Sequence, residues 1–164
     1  METLPTENTE TRYAGFWLRF VAYIIDDLLL GIAGFLVSLP FFGGIIFSAM
    51  GIAENPDETE NIVAGVMGIL GSIMGMVLII AVVAWLYYAL MESSKNQATL
   101  GKMALGLKVT DMEGNRISFG KATGRFFGKI ISGMILYIGY ILAGLTEKKQ
   151  ALHDLMAGCL VVRK

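Results

Sequence analysis

Arg19, Asp26 and Asp27 are ionisable residues inside one apolar run, Phe16 to Leu39, FWLRFVAYIIDDLLLGIAGFLVSL. About 20 apolar residues at ~1.5 Å rise cover a hydrocarbon core of ~30 Å, so the run is long enough to span a bilayer. An ionised carboxylate near the middle of such a segment is disfavoured by roughly 2.5–3.5 kcal/mol on insertion scales. A plain anchor would carry leucine there. The acids must therefore face protein or water, where a carboxylate can bind a proton or a cation, or pair with a group from another segment.

Helical geometry separates the two acids. Arg19, Tyr23, Asp26 and Leu30 fall along one stripe with Ala22 beside it, whereas Asp27 is rotated by about 100°. Arg19 and Asp26 are roughly 10 Å apart along the axis, too far for a salt bridge within the helix. Arg19 is expected to lean towards its own end and snorkel to the interface. Asp26 is then a buried acid whose partner is a proton, a cation or another segment. A contact that only locks one helix against another is the competing reading.

The elements that position these residues follow from composition. The 164-residue chain is 55% hydrophobic with mean hydropathy +0.63, above the 45–50% apolar content of ordinary soluble domains, which predicts an integral membrane protein of one compact unit. A single cysteine, Cys159, excludes an internal disulfide and a cysteine-based metal site, and a lone His153 excludes a histidine cluster. No cofactor is expected. The polar, acidic N-terminus has no basic n-region, so residues 1–12 read as a disordered tail and 13–164 as the membrane domain.

Along the chain, Tyr13, Phe16 and Trp17 form an interfacial belt, and Pro40 is expected to close the first span. Ile45 to Ala53 is too short to cross and reads as a helix end or interfacial piece, and Glu54 to Asn61 as a solvated acidic loop. Ile62 to Met91 is thirty residues without a charge, a second span in which Gly65, Gly68, Gly71 and Gly75 suit close helix packing, with dimerisation a weaker use. Residues 92–129 carry seven Lys or Arg, read as a cytoplasmic loop obeying the positive-inside rule. Within them, LGLKVTD, MEGN and RISFG predict a short β-hairpin between Gly101 and Gly120. Ile130 to Leu145 is only sixteen residues and has basic flanks on both sides, which points to a broken or re-entrant hairpin, with a plain third span as the alternative. In the re-entrant arrangement Asp154 lies on the same side as Arg19, and the two can pair.

No Lys or Arg lies between Pro40 and Asn61, so that loop is expected outside the cell. Both the N-terminus and residues 92–129 are then cytoplasmic, and the C-terminus with them, in the cell (inner) membrane. The predicted fold is all-α: two long transmembrane helices, a short third span or re-entrant hairpin, and a small cytoplasmic β-hairpin. No HExxH, GxSxG, P-loop or CxxC pattern occurs, so an enzyme is not expected, and no nucleic-acid reading motif is present.

The run AGFWLRFVAYIID, then NQATLGKMALGLKV, RFFGKI and QALHDLMAGCLVV, resembles the RDD family of small membrane proteins, from about Ala14 to Val162. Matched motif by motif, the arginine and two aspartates that name that family fall on Arg19, Asp26 and Asp154; Asp27 is outside the triad. Cys159 stands where threonine or another small residue is expected. The resemblance implies a multi-pass protein with a transport role and supplies no substrate. The expected function is transport, most concretely cation/proton exchange on Asp26, with Arg19 and Asp154 as a gate or charge clamp. Its expected partners are the lipid bilayer, monovalent cations and protons, and further copies of the chain in a homo-oligomer. The alternative is an accessory or scaffold protein that binds other membrane proteins.

Overall fold

A computed structural model of the chain describes residues 12–134 and 138–164; the expected tail, residues 1–12, lies almost wholly outside the described residues. The chain runs α1 (Phe16–Glu54), α2 (Thr59–Glu92), α3 (Leu100–Ala104), β1 (Leu107–Asp111), α4 (Phe119–Met134), α5 (Ile138–Leu145), α6 (Leu152–Ala157) and β2 (Cys159–Arg163). It divides into two units: Asp26–Tyr87, and the chain up to Ile25 together with Tyr88–Lys164.

The Asp26–Tyr87 unit is a pair of helices joined by a short turn, in which the Glu58 N–H donates to the Asn55 carbonyl at 3.3 Å. Both helices are apolar on almost every side, with Phe35, Phe47, Met67, Met74 and Leu78 all exposed. That is a lipid-facing composition, since water would penalise each of these side chains. With 39 and 34 residues, α1 and α2 are each long enough to cross a membrane. Pro40 does not end α1, contrary to expectation; it sits inside a helix that absorbs Ile45 to Ala53 and stops at Glu54. A proline removes one backbone bond, and in apolar surroundings every other N–H still favours the helix.

Three glycines of α2, Gly65, Gly68 and Gly75, serve packing within the chain, whereas Gly71 faces open space. A Cβ at Gly75 would stand 2.9 Å from a ring carbon of Phe41, and one at Gly44 on α1 would stand 2.8 Å from the Ser72 hydroxyl. Gly65 and Gly68 meet Ile52 and Ser48 in the same way. Small residues here let the two backbones approach.

The second unit is built on a sheet. β1 and β2 pair antiparallel, from Leu107 opposite Arg163 to Asp111 opposite Cys159. Tyr13 bridges to Val162, the Ala14 N–H donates to the Val161 carbonyl at 2.8 Å, and the Arg163 N–H donates to the Arg12 carbonyl at 2.9 Å. Leu107, Val109 and Val161 are wholly buried in it. The expected two-stranded sheet therefore exists, but RISFG is not its second strand. The DMEGN turn does form, with the Asn115 N–H on the Asp111 side-chain oxygen at 2.7 Å and Gly114 at φ +87°. The Ser118 hydroxyl then accepts the Lys121 N–H at 3.2 Å and starts α4, so this stretch enters a helix and the apolar CLVVR strand takes its place.

Sheet pairing also settles the character of residues 119–145. β1 precedes α4 and β2 follows α5, and two hydrogen-bonded strands must lie on one side of a bilayer. A segment that leaves and rejoins the same side is not a single crossing. The α4–α5 pair is bent by 98°, the geometry of a broken span or of a re-entrant loop, and the bridge at Tyr13 ties the start of α1 to the same sheet. A topology reporter inserted in the turn at Gly114 and another fused after Lys164 should report the same compartment. Opposite compartments would show that the β1–β2 pairing does not form in the membrane.

Candidate functional site

In the Asp26–Tyr87 unit, the first and last residues meet. Asp26 is 1% exposed, and the Tyr87 hydroxyl donates to its Oδ1 at 2.7 Å. Asp26 faces inward because it shares the buried side of α1 with Ala22, one helical turn earlier. Asp27, one residue on, is exposed, as the 100° rotation requires. Tyr23, expected on the same stripe, lies at its edge and is half exposed. Beyond Asp26 the facing surfaces are apolar: Leu30, Gly34 and Val37 of α1 and Ile80, Val83 and Ala84 of α2 border a shallow gap.

The second unit holds a different arrangement, centred on Asp154. One oxygen, Oδ2, takes Arg19 Nη1 and the Ala151 N–H at 3.1 Å; the other, Oδ1, takes Arg125 Nε and Nη2, each at 2.7 Å. Arg19 leans back to its own helix end as expected, but it is captured there rather than released to the interface. Its Nε donates to the Ala14 carbonyl at 2.8 Å and Nη2 to the Lys149 carbonyl at 2.6 Å. The predicted pairing of Arg19 with Asp154 is thus present.

Arg125 continues the network to Glu92, the last residue of α2, where Nη1 lies 2.7 Å from Oε2. Lys102 pairs with Glu92 Oε1, and Lys129 approaches the same oxygen at 3.6 Å while lying 3.7 Å over the Tyr88 ring. Lys102 and Arg125 are buried and Lys129 nearly so. Reading residues 92–129 as a basic loop did not single out these three as inward-facing. The signal was available: Ala122, Arg125, Gly128 and Ser132 recur at helical spacing and form the buried face of α4, with Phe127, Ile130 and Ile131 on the outside. A helix that turns its charges inward needs an internal carboxylate, and Glu92 was not picked out as that partner.

Electrostatics fix the state of Asp154. Burial alone would raise its pKa, but Arg125 and Arg19 outweigh it and hold the carboxyl well below the usual range, so it stays ionised. Burial lowers Lys102, opposed by Glu92. His153 lies beside Tyr140, the rings tilted by 57° with centroids 5.2 Å apart, and its Nε2 is 3.5 Å from Asp154 Oδ1. Burial pushes its pKa down to about 3 despite that carboxylate, so at neutral pH the contact is not an ion pair. Burial raises the Cys159 thiol, which leaves it unreactive.

Asp26 and Asp154 thus belong to different chemistries. Asp154 is fixed as an anion between two guanidiniums, whereas Asp26 sits in an apolar helix pair against a hydroxyl that can donate to a carboxylate or accept from a carboxylic acid.

A model of the RDD family matches residues 13–158, a span that includes Arg19, Asp26 and Asp154. The chain is similar to the "Uncharacterized protein YxaI" of Bacillus subtilis (strain 168), with 41% identity over 92% of this chain and 97% of that protein. It is also similar to the "Uncharacterized membrane protein YteJ" of the same organism, at 29% identity over 93% of this chain and 82% of that one. No solved structure matches.

Two outcomes follow from the network. Asp154→Asn leaves Arg19 and Arg125 buried without their shared anion and should destabilise the fold by about 3–5 kcal/mol, read as a fall in thermal midpoint in detergent. As pH falls from 6.5 to about 4, the unfolded chain protonates residue 153 and the folded chain does not, because the folded pKa is the lower one. Each pH unit in that window should therefore weaken folding by up to about tenfold. His153→Gln should be flatter than the parent there; an identical pH profile would show that the ring is not buried neutral.

Proposed function

The chain belongs to the RDD family of membrane proteins, and from that premise we propose that it is a transport protein exchanging protons for a monovalent cation at Asp26. The observation that carries the reading is the Asp26 carboxylate, 1% exposed between two otherwise apolar helices, with the Tyr87 hydroxyl at 2.7 Å. A carboxylate in this place can take a proton or a desolvated cation, so either ligand can hold the site and neither need stay. Tyr87 supports both forms: it donates to the carboxylate, and its oxygen accepts from the acid. Asp154 is unsuited to that cycle because two guanidiniums keep it ionised. Its part, with Arg19, is a clamp that holds the start of α1.

On this reading the turn between α1 and α2, residues 55–58, is outside and both ends are cytoplasmic, in the cell membrane, since no Lys or Arg lies from Pro40 to Asn61. Two crossings are few for an alternating-access path, so the working unit is a homo-oligomer. The rival accessory role would use the small residues that suit helix association; Gly44, Gly65, Gly68 and Gly75 meet the chain's own helices, whereas Gly71 faces open space.

Purified protein in proteoliposomes with an internal pH dye, challenged in turn with Na⁺, K⁺ and Li⁺, should show a cation-driven proton flux. Asp26→Asn should reduce that flux at least about tenfold while the protein still accumulates, because it keeps shape and hydrogen bonding but loses the titratable proton. Tyr87→Phe should lower flux less and alter its pH dependence. Asp27→Asn should be close to wild type. Equal loss in both aspartate variants would sink the assignment to Asp26, and no flux with any of the three cations would favour the accessory role.

A further inference from the structure

Lys129 points into the second unit, from the same side of α4 as Ala122 and Arg125, and it is the surplus base of the charge network there. Arg19, Lys102, Arg125 and Lys129 are four bases, and their ion pairs run to two carboxylates among the described residues, Glu92 and Asp154. Asp154 holds Arg19 and Arg125, and the two oxygens of Glu92 hold Lys102 and Arg125. Lys129 has no carboxylate oxygen to itself. It stands 3.6 Å from the Glu92 oxygen that Lys102 already occupies, and 3.7 Å over the face of Tyr88. Asp154 and His153 of α6 act on it from further off, and the Tyr140 hydroxyl of α5 donates to its carbonyl at 3.3 Å.

A buried cation without an anion of its own is disfavoured, and a cluster with surplus positive charge is relieved when one base sheds its proton. The guanidiniums cannot do so. Of the two lysines, Lys102 bonds directly to Glu92 and Lys129 makes only the long approach. We propose that Lys129 is the proton-exchanging member of the cluster and makes the contact between α4 and the last turn of α2 a pH-sensitive latch. As the neutral amine, Lys129 stays packed on Tyr88, whose ring also meets Phe126, while Arg125 bonds Glu92. As the ammonium it is repelled by Lys102 and Arg125, and it regains hydration by swinging off Tyr88. Its side chain is 14% exposed, more open than any other in the network, so water is within reach. Burial pushes the packed lysine down to about 7, against the pull of Glu92 and with the push of Lys102 and Arg125. A solvated lysine keeps its proton to about 10.4. Between those values the open latch binds more protons than the closed one, so closing strengthens as pH rises, by up to about tenfold per unit. Asp154 stays ionised and His153 neutral across that window, so neither masks the change. The latch is independent of Asp26 and of any ion flux.

The test is hydrogen exchange of the full chain in detergent at pH 7 and pH 8.5, corrected for the intrinsic rate and read on peptides covering residues 88–92 and 125–132. Both peptides of the parent should be at least about fivefold more protected at the higher pH. Lys129→Met, which keeps an apolar stem and has no proton to lose, should be equally protected at the two pH values. Lys121→Met, at an exposed lysine of the same helix, should keep the parent's difference. Equal protection of the parent at both pH values would overturn the latch. The parent's full difference surviving in Lys129→Met would pass the proton to Lys102 and overturn the assignment. Should Lys129→Met fail to accumulate, trace acetylation of the parent decides, because only the free amine reacts. Labelling of Lys129 should be half-maximal near pH 7, and a midpoint of about 10, that of a solvated lysine, refutes the proposal.

Discussion

The carboxylate of Asp154 is shared by two guanidiniums and one backbone N–H, and the second unit is assembled around that sharing. Arg19 brings the start of α1, Arg125 brings α4, and Asp154 itself stands in the first turn of α6. None of these charges would be buried alone. Each is tolerable only because the others are present, so the elements that carry them must arrive together. Glu92 extends the same logic to the end of α2, with Arg125 as the residue common to both carboxylates. The sheet adds backbone bonds where the cluster adds charge, and the two share β2's neighbour, the short helix α6.

Asp26 and Asp154 are therefore separated by environment rather than by chemistry. Asp26 is placed in an apolar pair of helices with a phenol as neighbour. Asp154 is placed where protonation is suppressed. The same side chain thus serves as a candidate exchangeable site in one unit and as a fixed counter-ion in the other.

Much of this was legible in the residues. A period of 3.6 told Asp26 from Asp27, the run of apolar residues gave the two long helices, and basic flanks on both sides of Ile130–Leu145 argued against a third crossing. The pairing of Arg19 with Asp154 followed from that topology. What failed to show was long-range choice. LKVTD had two strand-like partners, and only the tertiary competition between RISFG and CLVVR decides between them; Ser118, which starts a helix, tips it. Pro40 was read by a rule that holds in water and weakens where no water competes for the backbone. Lys102, Arg125 and Lys129 resembled any basic loop because charge counts do not reveal which way a side chain faces. Glu92 was hidden at the end of an uncharged run, although an acid in that place is as anomalous as Asp26.

The distance in sequence between Arg19 and Asp154 has a consequence for biogenesis. Their separation is 135 residues, and at about 5–20 residues per second the ribosome takes roughly 7–27 s to span it. During that interval Arg19 and Asp26 are already committed to an apolar helix, while the counter-ion and the strand that seals the sheet have yet to be made. The nascent chain thus passes through a stage in which α1 and α2 are inserted and Arg19, Glu92 and Arg125 have no Asp154 to close the network. Such a species is a natural client for insertion chaperones and membrane proteases, and its lifetime is set by translation of the last few residues rather than by the speed at which the helices enter the bilayer.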